Sequence, residues 1–557
     1  MGTRCAAQLS NSAMNINPIS QLVPALALAG FIISARAQQV TIPDPGLNAA
    51  VRQALQKPTG PLTQQDLLSI TNLNGGQRNI SSLQGLEVAH NLVSLDLNSN
   101  RLANLSIPST LTNLVTVDLS FNPLRTCVFP DGLTNLNRLL LKSCLLTNLT
   151  LPGDLVSLVE LNLQGNLFIN FSLPPSLRGV GFLGLRSNNL EGGVGFLTNL
   201  TEVDNLDLAD NLLSDFTLPP SVTNIYFLNL VGNILTNVTL PTGLGDLSTL
   251  QLDVNQLDHI TLPAGLNRLL QLSASFNVLS GLVLPPDATN LALLELSFNY
   301  VTNITFPQEL KTLETLNLES DEMSSLVFSP NMTRLQSLKL NANQLTNLVL
   351  PPVLTNFVSL EARFNQLKSF VLPPAPQLQF LYLSGNLLTN LTLPAGLTNL
   401  LEITLDSNNL TNLTLPPNLY RLNTLDLENN QLTTLTLPPA CTNLIFFFVA
   451  GSPITTLILP DQLAATNLAQ LVAVLQNQGA SIFTYPLAAQ LLQPRPISGA
   501  IQFGITGPPG VYSVLGSSDL LNWQQVGTAS NGLGSVSFVD GAAHLFPRRF
   551  YRAQQKF

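Results

Sequence analysis

The sequence predicts a solenoid of stacked, short parallel strands, and three observations lead there. A phrase of the form Leu-x-x-Leu-x-Leu-x-x-Asn returns at a nearly constant period, the apolar residues are mostly aliphatic, and charge is scarce. Hydrophobic residues make up 45% of the 557-residue chain, charged residues 10% and aromatic residues 6%. A disordered chain shows the opposite balance of hydrophobicity and charge. Length alone would suggest several ordinary domains, but a repeat array grows without closing a single core.

The repeat begins with Leu92, Leu95, Leu97 and Asn100. It returns as Leu114, Val117, Leu119 and Asn122, and again as Leu158, Leu161, Leu163 and Asn166. The Asn position then falls at Asn188, Asn211, Asn233, Asn255, Asn277, Asn299, Asp321, Asn343, Asn365, Asn386, Asn408 and Asn430, with Cys144 in one rung and Ser452 in the last. Rungs are 22 residues apart, except for a step of 23 before Asn211 and one of 21 before Asn386, and they number 17. Leucine at alternating positions makes a strand with one buried face. A carboxamide brings both donors and an acceptor to the turn that leaves the strand, in an otherwise dry interior. Asp321 departs most from this requirement, because a buried carboxylate needs donors around it.

From about residue 70 to 460 the chain resembles the leucine-rich-repeat family. The resemblance implies a parallel concave sheet, with the second half of each unit returning along a convex side. Here that half reads Leu-x-x-Leu-x-Leu-Pro, as in Leu410, Leu413, Leu415, Pro416 and Pro417. Proline fixes φ and biases its predecessor away from the helical region. The convex segments are therefore expected to be mostly extended, with at most a short helical turn near Leu397 and Leu419. One unit is disturbed: Gly192-Gly193-Val194-Gly195 replaces its Leu-Pro phrase, which reads as drift within a single repeat.

Around this array the chain divides into six parts. Residues 1–37 read as a signal peptide, since the apolar run from Leu22 to Ile33 is followed by Ala35-Arg36-Ala37, a small-x-small cleavage pattern; a buried N-terminal helix is the alternative. Residues 38–91 form an N-terminal cap and a degenerate first repeat, and the cap is similar in layout to that of internalins, which are secreted bacterial proteins. The repeats occupy 92–460, a C-terminal cap 461–486 and a linker 487–496. Residues 497–557 alternate in short runs broken by Gly and Pro, as a small all-β module does. Its phrases Tyr512-Ser513-Val514, Ser518-Asp519-Leu520 with Trp523, and Pro547 to Arg552 resemble a C-terminal module of secreted bacterial proteins. Trp523 is expected in the core of that module rather than stacked on a sugar. No segment of the mature chain is apolar for long enough to span a bilayer.

Little in the sequence points to chemistry. The formal net charge is −9 and no run of Lys or Arg occurs, which disfavours nucleic acid. His90, His259 and His544 have no metal-ligand spacing, and no catalytic motif is present. Neither a cofactor nor a metal nor an enzymatic activity is therefore expected. Cys127, Cys144 and Cys441 fall on interior positions of the repeat and read as buried apolar residues.

Leucine-rich-repeat proteins commonly bind partners on the concave sheet, through the residues between the buried leucines. Counting back from each rung gives charged residues up to Arg186 early on, and Phe182 and Phe227, with Tyr226 beside it, as a central aromatic island. Glu295, Glu319, Lys339, Glu361 and Arg363 follow, then Phe380 and Tyr382. Glu402, Asp406, Asp426 and Glu428 form an acidic group, read as a solvated face rather than a cation site. The expectation is a non-catalytic scaffold, secreted or held at the cell surface, that binds a protein partner on this face. The alternative is a carbohydrate- or envelope-binding protein that uses the concave face or the terminal module.

Overall fold

A computed structural model describes residues 38–556; the expected signal peptide lies outside the described residues. Eighteen three-residue strands, from Asn72–Asn74 to Phe446–Phe448, form one parallel sheet. Neighbouring strands pair one repeat apart: Leu73 faces Leu95, Leu95 faces Val117, and so on to Leu425 and Phe447. The sheet is open, because Asn72–Asn74 pairs only with Ser94–Asp96 and Phe446–Phe448 only with Thr424–Asp426. The expected leucine-rich-repeat solenoid is therefore present.

The middle residue of each strand points inward. Leu92, Leu95 and Leu97 are fully buried, and their counterparts form one apolar column running from Ile42 to Leu475. Full burial of each leucine contributes about 2 kcal/mol, offset by the backbone entropy lost in each turn.

The Asn positions complete the interior. In Asn255 the carboxamide oxygen accepts the Leu235 N–H at 3.0 Å. Its Nδ2 donates to the carbonyls of Leu230 and Leu252, both at 3.0 Å. Each rung thus reaches back into the preceding turn, 20 and 25 residues upstream, while also closing its own. Substitutes reproduce part of this. Ser452 Oγ accepts from Asn430 N–H and donates to Leu427 O at 2.8 Å, and the Cys144 thiol donates to Leu119 O. A second ladder, at the opposite corner, was not read from the sequence. There Asn113, Asn399 and Asn443 each donate to the carbonyl 23 residues earlier, those of His90, Pro376 and Tyr420.

The convex side is extended and partly paired. Asn104–Ser106 runs beside Thr126–Val128, and Asn390–Thr392 beside Asn412–Thr414. Near Leu397 and Leu419 the chain makes single turns, closed by the Leu400 and Leu422 N–H groups at 3.3 Å. In the irregular unit Gly195 opens a short 3₁₀ turn, Gly195–Leu197, and Phe196 within it lies edge-on to Phe171. Cys127, Cys144 and Cys441 are buried and unpaired, and burial pushes each thiol up to about 11 or 12.

At the N-terminal end the helix Pro45–Ala54 starts on Asp44, which accepts the Leu47 N–H at 3.0 Å. Helix Gln64–Leu68 opens with a reciprocal Thr63–Asp66 capping box, which satisfies two orphan donors. At the other end, helices Asp461–Ala465 and Ala469–Asn477 precede strand Ser481–Tyr485, which pairs with the convex strand Thr456–Pro460. Beyond it, the strands from Arg495–Ile497 to Phe550–Gln555 are antiparallel, around Phe503, Ile505, Tyr512, Val514 and Ala529. Trp523 is not in that core, contrary to expectation. It is half-buried at the hairpin following Gly510–Ser517, where its indole N–H donates to Leu520 O and its ring lies 4.6 Å from the Arg552 guanidinium. Among the described residues no helix is long and apolar enough to cross a membrane.

Candidate interaction face

The strand geometry turns alternate residues toward solvent, so the candidate residues form columns on the concave face. All are half-buried except Tyr226, which is exposed at the edge where its strand begins. The aromatic island of Phe182 and Phe227 is not a contact pair. Strand Asn205–Asp207 lies between them, with Asn205 in register with both. Arg186 is engaged elsewhere, at 2.9 Å from Asp210.

Three neighbouring strands bring a connected group together. The Arg363 guanidinium lies 3.8 Å above the Tyr382 ring and 4.0 Å from the Glu361 carboxylate. The Tyr382 hydroxyl donates to Glu402 at 3.1 Å, and the Phe380 ring lies 6.0 Å away along the same strand. Glu361 also accepts from the Asn341 amide at 3.0 Å. Burial and the neighbouring Glu402 charge push the Tyr382 phenol up to about 12, against the opposing pull of Arg363. Such a site has apolar ring area, a guanidinium and carboxylates within one patch, the mix that anchors protein interfaces.

Of the acidic group, Glu402 and Asp426 stand on adjacent paired strands, with Asp406 and Glu428 just beyond them. Burial raises the Asp426 carboxyl above its usual range, helped by the nearby charges of Asp406 and Glu428. Among the described residues no group of three or more His, Cys, Asp or Glu side chains could hold a metal ion. Glu295 is likewise raised by burial, with Lys339 opposing the effect.

One column of exposed residues was missed by counting back in steps of two. The residue just before each rung leaves the strand with positive φ, and in most units it is Ser, Gly, Asp, Ala or Asn. In five units it is Phe121, Val254, Phe276, Phe298 or Phe364, with φ between 54° and 58°. A bulky or β-branched residue there is a conformational outlier, at a cost of about 1–2 kcal/mol. The signal was present in the sequence, as a large apolar residue beside a rung where neighbours carry small polar ones.

Comparison with known proteins agrees with this geometry. A family described as "BspA type Leucine rich repeat region" matches in six copies over residues 94–205, 292–378 and 378–468, together just over half of the chain. No curated protein matches the sequence. Among solved structures, YopM from Yersinia enterocolitica WA-314 is 26% identical with a TM-score of 0.58, over 74% of this chain and 82% of that one. A TDR receptor is similar in fold, at 22% identity and a TM-score of 0.50, over 72% of this chain and 83% of that one. An internalin, inlF of Listeria monocytogenes, aligns over 57% of this chain and 94% of its own at 25% identity, with a TM-score of 0.47. The chain belongs to the BspA-type leucine-rich-repeat family.

Proposed function

We propose that this protein is an exported, non-catalytic scaffold that holds a protein partner on its concave face, centred on Glu361, Arg363, Phe380, Tyr382 and Glu402. The observation that carries this reading is the joined Arg363–Tyr382–Glu402 contact spanning three strands. It supplies ring area and charge already held in place, so little side-chain freedom remains to be lost on binding. Export rests on the apolar run and cleavage pattern of residues 22–37. Glycan binding through the terminal module has less support, because Arg552 already covers one face of the Trp523 ring.

The test is to immobilise the full chain and screen it against secreted proteins and cell-wall glycans, beside an Arg363→Ala/Tyr382→Ala variant with an unchanged circular dichroism spectrum. The proposal expects a protein ligand whose affinity falls about tenfold or more in the variant. Binding only to glycans, or binding that the variant leaves intact, would count against it.

A further inference from the structure

We propose that the edge of the array formed by Val254, Phe276 and Phe298 docks a cationic, apolar segment of another protein, one that sets Arg or Lys between aliphatic or aromatic side chains. The inference rests on the reading of the array as a protein-interaction scaffold and adds the chemistry of one partner segment.

The first observation is conformational. Three consecutive units place a bulky residue in the left-handed region at the position where Ser99, Ser143, Ser187 and Gly232 serve other units. Folding alone favours the small residues, so packing does not account for the rings. Nor are they covered: Val254 is 51%, Phe276 52% and Phe298 45% exposed. The two phenylalanine rings stack on each other at 4.4 Å, 9° from parallel, a flat platform held in place before any partner arrives. Exposed Val278 and Tyr300, two residues beyond Phe276 and Phe298, widen the apolar strip. A contiguous strip of this kind, unlike scattered apolar residues, marks an interaction surface.

The second observation is charge. Strands Thr249–Gln251, Gln271–Ser273, Leu293–Glu295 and Thr315–Asn317 contain no Lys or Arg. The same four turns bring Asp253, Glu295 and Glu319 to the concave side of the strip, each half-buried. Asp253 is fixed by the Ser275 N–H at 2.7 Å and by the Ser273 hydroxyl. Burial raises the Glu295 carboxyl, and Lys339 eases it only in part; a cation beside it would favour the charged form. An Arg in the partner would reach these carboxylates while its flat face lies on a phenylalanine ring, using charge and the ring quadrupole together. The edge thus selects against acidic segments as well as for basic ones.

Three synthetic peptides test this by calorimetric titration into the full chain: alternating Arg and Leu, alternating Glu and Leu, and alternating Arg and Ser. The Arg/Leu peptide should bind, and more weakly as salt is raised. Its affinity should fall about tenfold in Phe276→Ser/Phe298→Ser, and also in Asp253→Asn/Glu319→Gln. Serine is the residue other units use there, so the double serine variant should melt no lower than the parent. Equal binding of the Glu/Leu or Arg/Ser peptide overturns the proposal, as does unchanged binding by the serine variant, a lowered melting temperature, or no binding of any peptide at millimolar concentration. If Arg/Leu binding is lost only in Arg363→Ala/Tyr382→Ala, this edge is not the dock and the scaffold reading stands. If edge binding holds but that variant keeps every protein ligand, the concave-centre reading falls instead.

Discussion

The carboxylate of Asp321 accepts the backbone N–H of Val301 at 3.2 Å, in the rung where Asn343, one unit later, presents a carboxamide. The same oxygen accepts from Asn299 N–H, but the second oxygen is buried without a partner. In the Asn rungs that position is an NH₂ donating to carbonyls, so in Asp321 an acceptor stands where a donor belongs. Burial accordingly pushes the carboxyl up to about 7.

Asp321→Asn should therefore stabilise the protein. The substitution restores the donor and removes a buried, half-satisfied acceptor, worth about 1–3 kcal/mol. Denaturant unfolding at pH 8 should show a higher midpoint for the variant, with a smaller gain at pH 5.

The pH dependence has a definite sign. Asp321 titrates near 3.8 when unfolded and near 7 when folded, so the folded chain holds the extra proton between those values. Its contribution is full below about pH 4, declines as pH rises to about 7 and is constant above; at about 1.4 kcal/mol per pH unit the span is on the order of 4 kcal/mol. Calorimetry across this range should show a steeper decline in the wild type than in Asp321→Asn. Asp207, Glu295 and Asp426, also raised by burial, act in the same direction, whereas Asp44 and Asp66, lowered by their hydrogen-bond partners, oppose it, and these contributions are common to both proteins.

An ordinary rung should be costly to remove. Asn255→Ala leaves the buried Leu235 N–H without its acceptor and takes one of two carboxamide donors from each of the Leu230 and Leu252 carbonyls, which keep Asn233 and Asn277, a loss of about 3 kcal/mol. Because repeats touch only their neighbours, amide exchange should accelerate chiefly around residues 230–277 and much less near the ends of the array.

Glu402→Gln tests the linked group on the concave face. With that charge gone, the Tyr382 phenol should titrate below its present value of about 12 yet still above 10, since burial remains the largest cause of its rise. Ultraviolet difference titration against a Tyr382→Phe baseline reads this. An unmoved phenol would mean that Glu402 does not act on Tyr382.

The solenoid and its phase were legible because both depend on local spacing. A leucine every second residue and an amide every twenty-second leave one solution, and the structure adopts it. The second ladder, Asn113 to His90 and its equivalents, escaped notice because an exposed Asn in a turn is unremarkable until its 23-residue reach is visible. The candidate face was legible only as a set of columns. Which neighbours touch depends on side-chain length and rotamer, so Arg363 found Tyr382 while Phe182 and Phe227 were kept apart by Asn205. Phe276 and Phe298 were missed because their strands end three residues before them, at Ser273 and Glu295, where the alternating count no longer holds.

The backward reach of the Asn rungs also has a consequence for synthesis. Leu235 N–H waits for Asn255, and Leu410 N–H for Asn430, so every turn is finished by residues that leave the ribosome a full repeat later. The nascent chain would settle from its first residues onward, always trailing one incomplete turn. The polarity of translation and the polarity of the ladder coincide, and growth stops where Ser452 closes the last rung with a single hydroxyl.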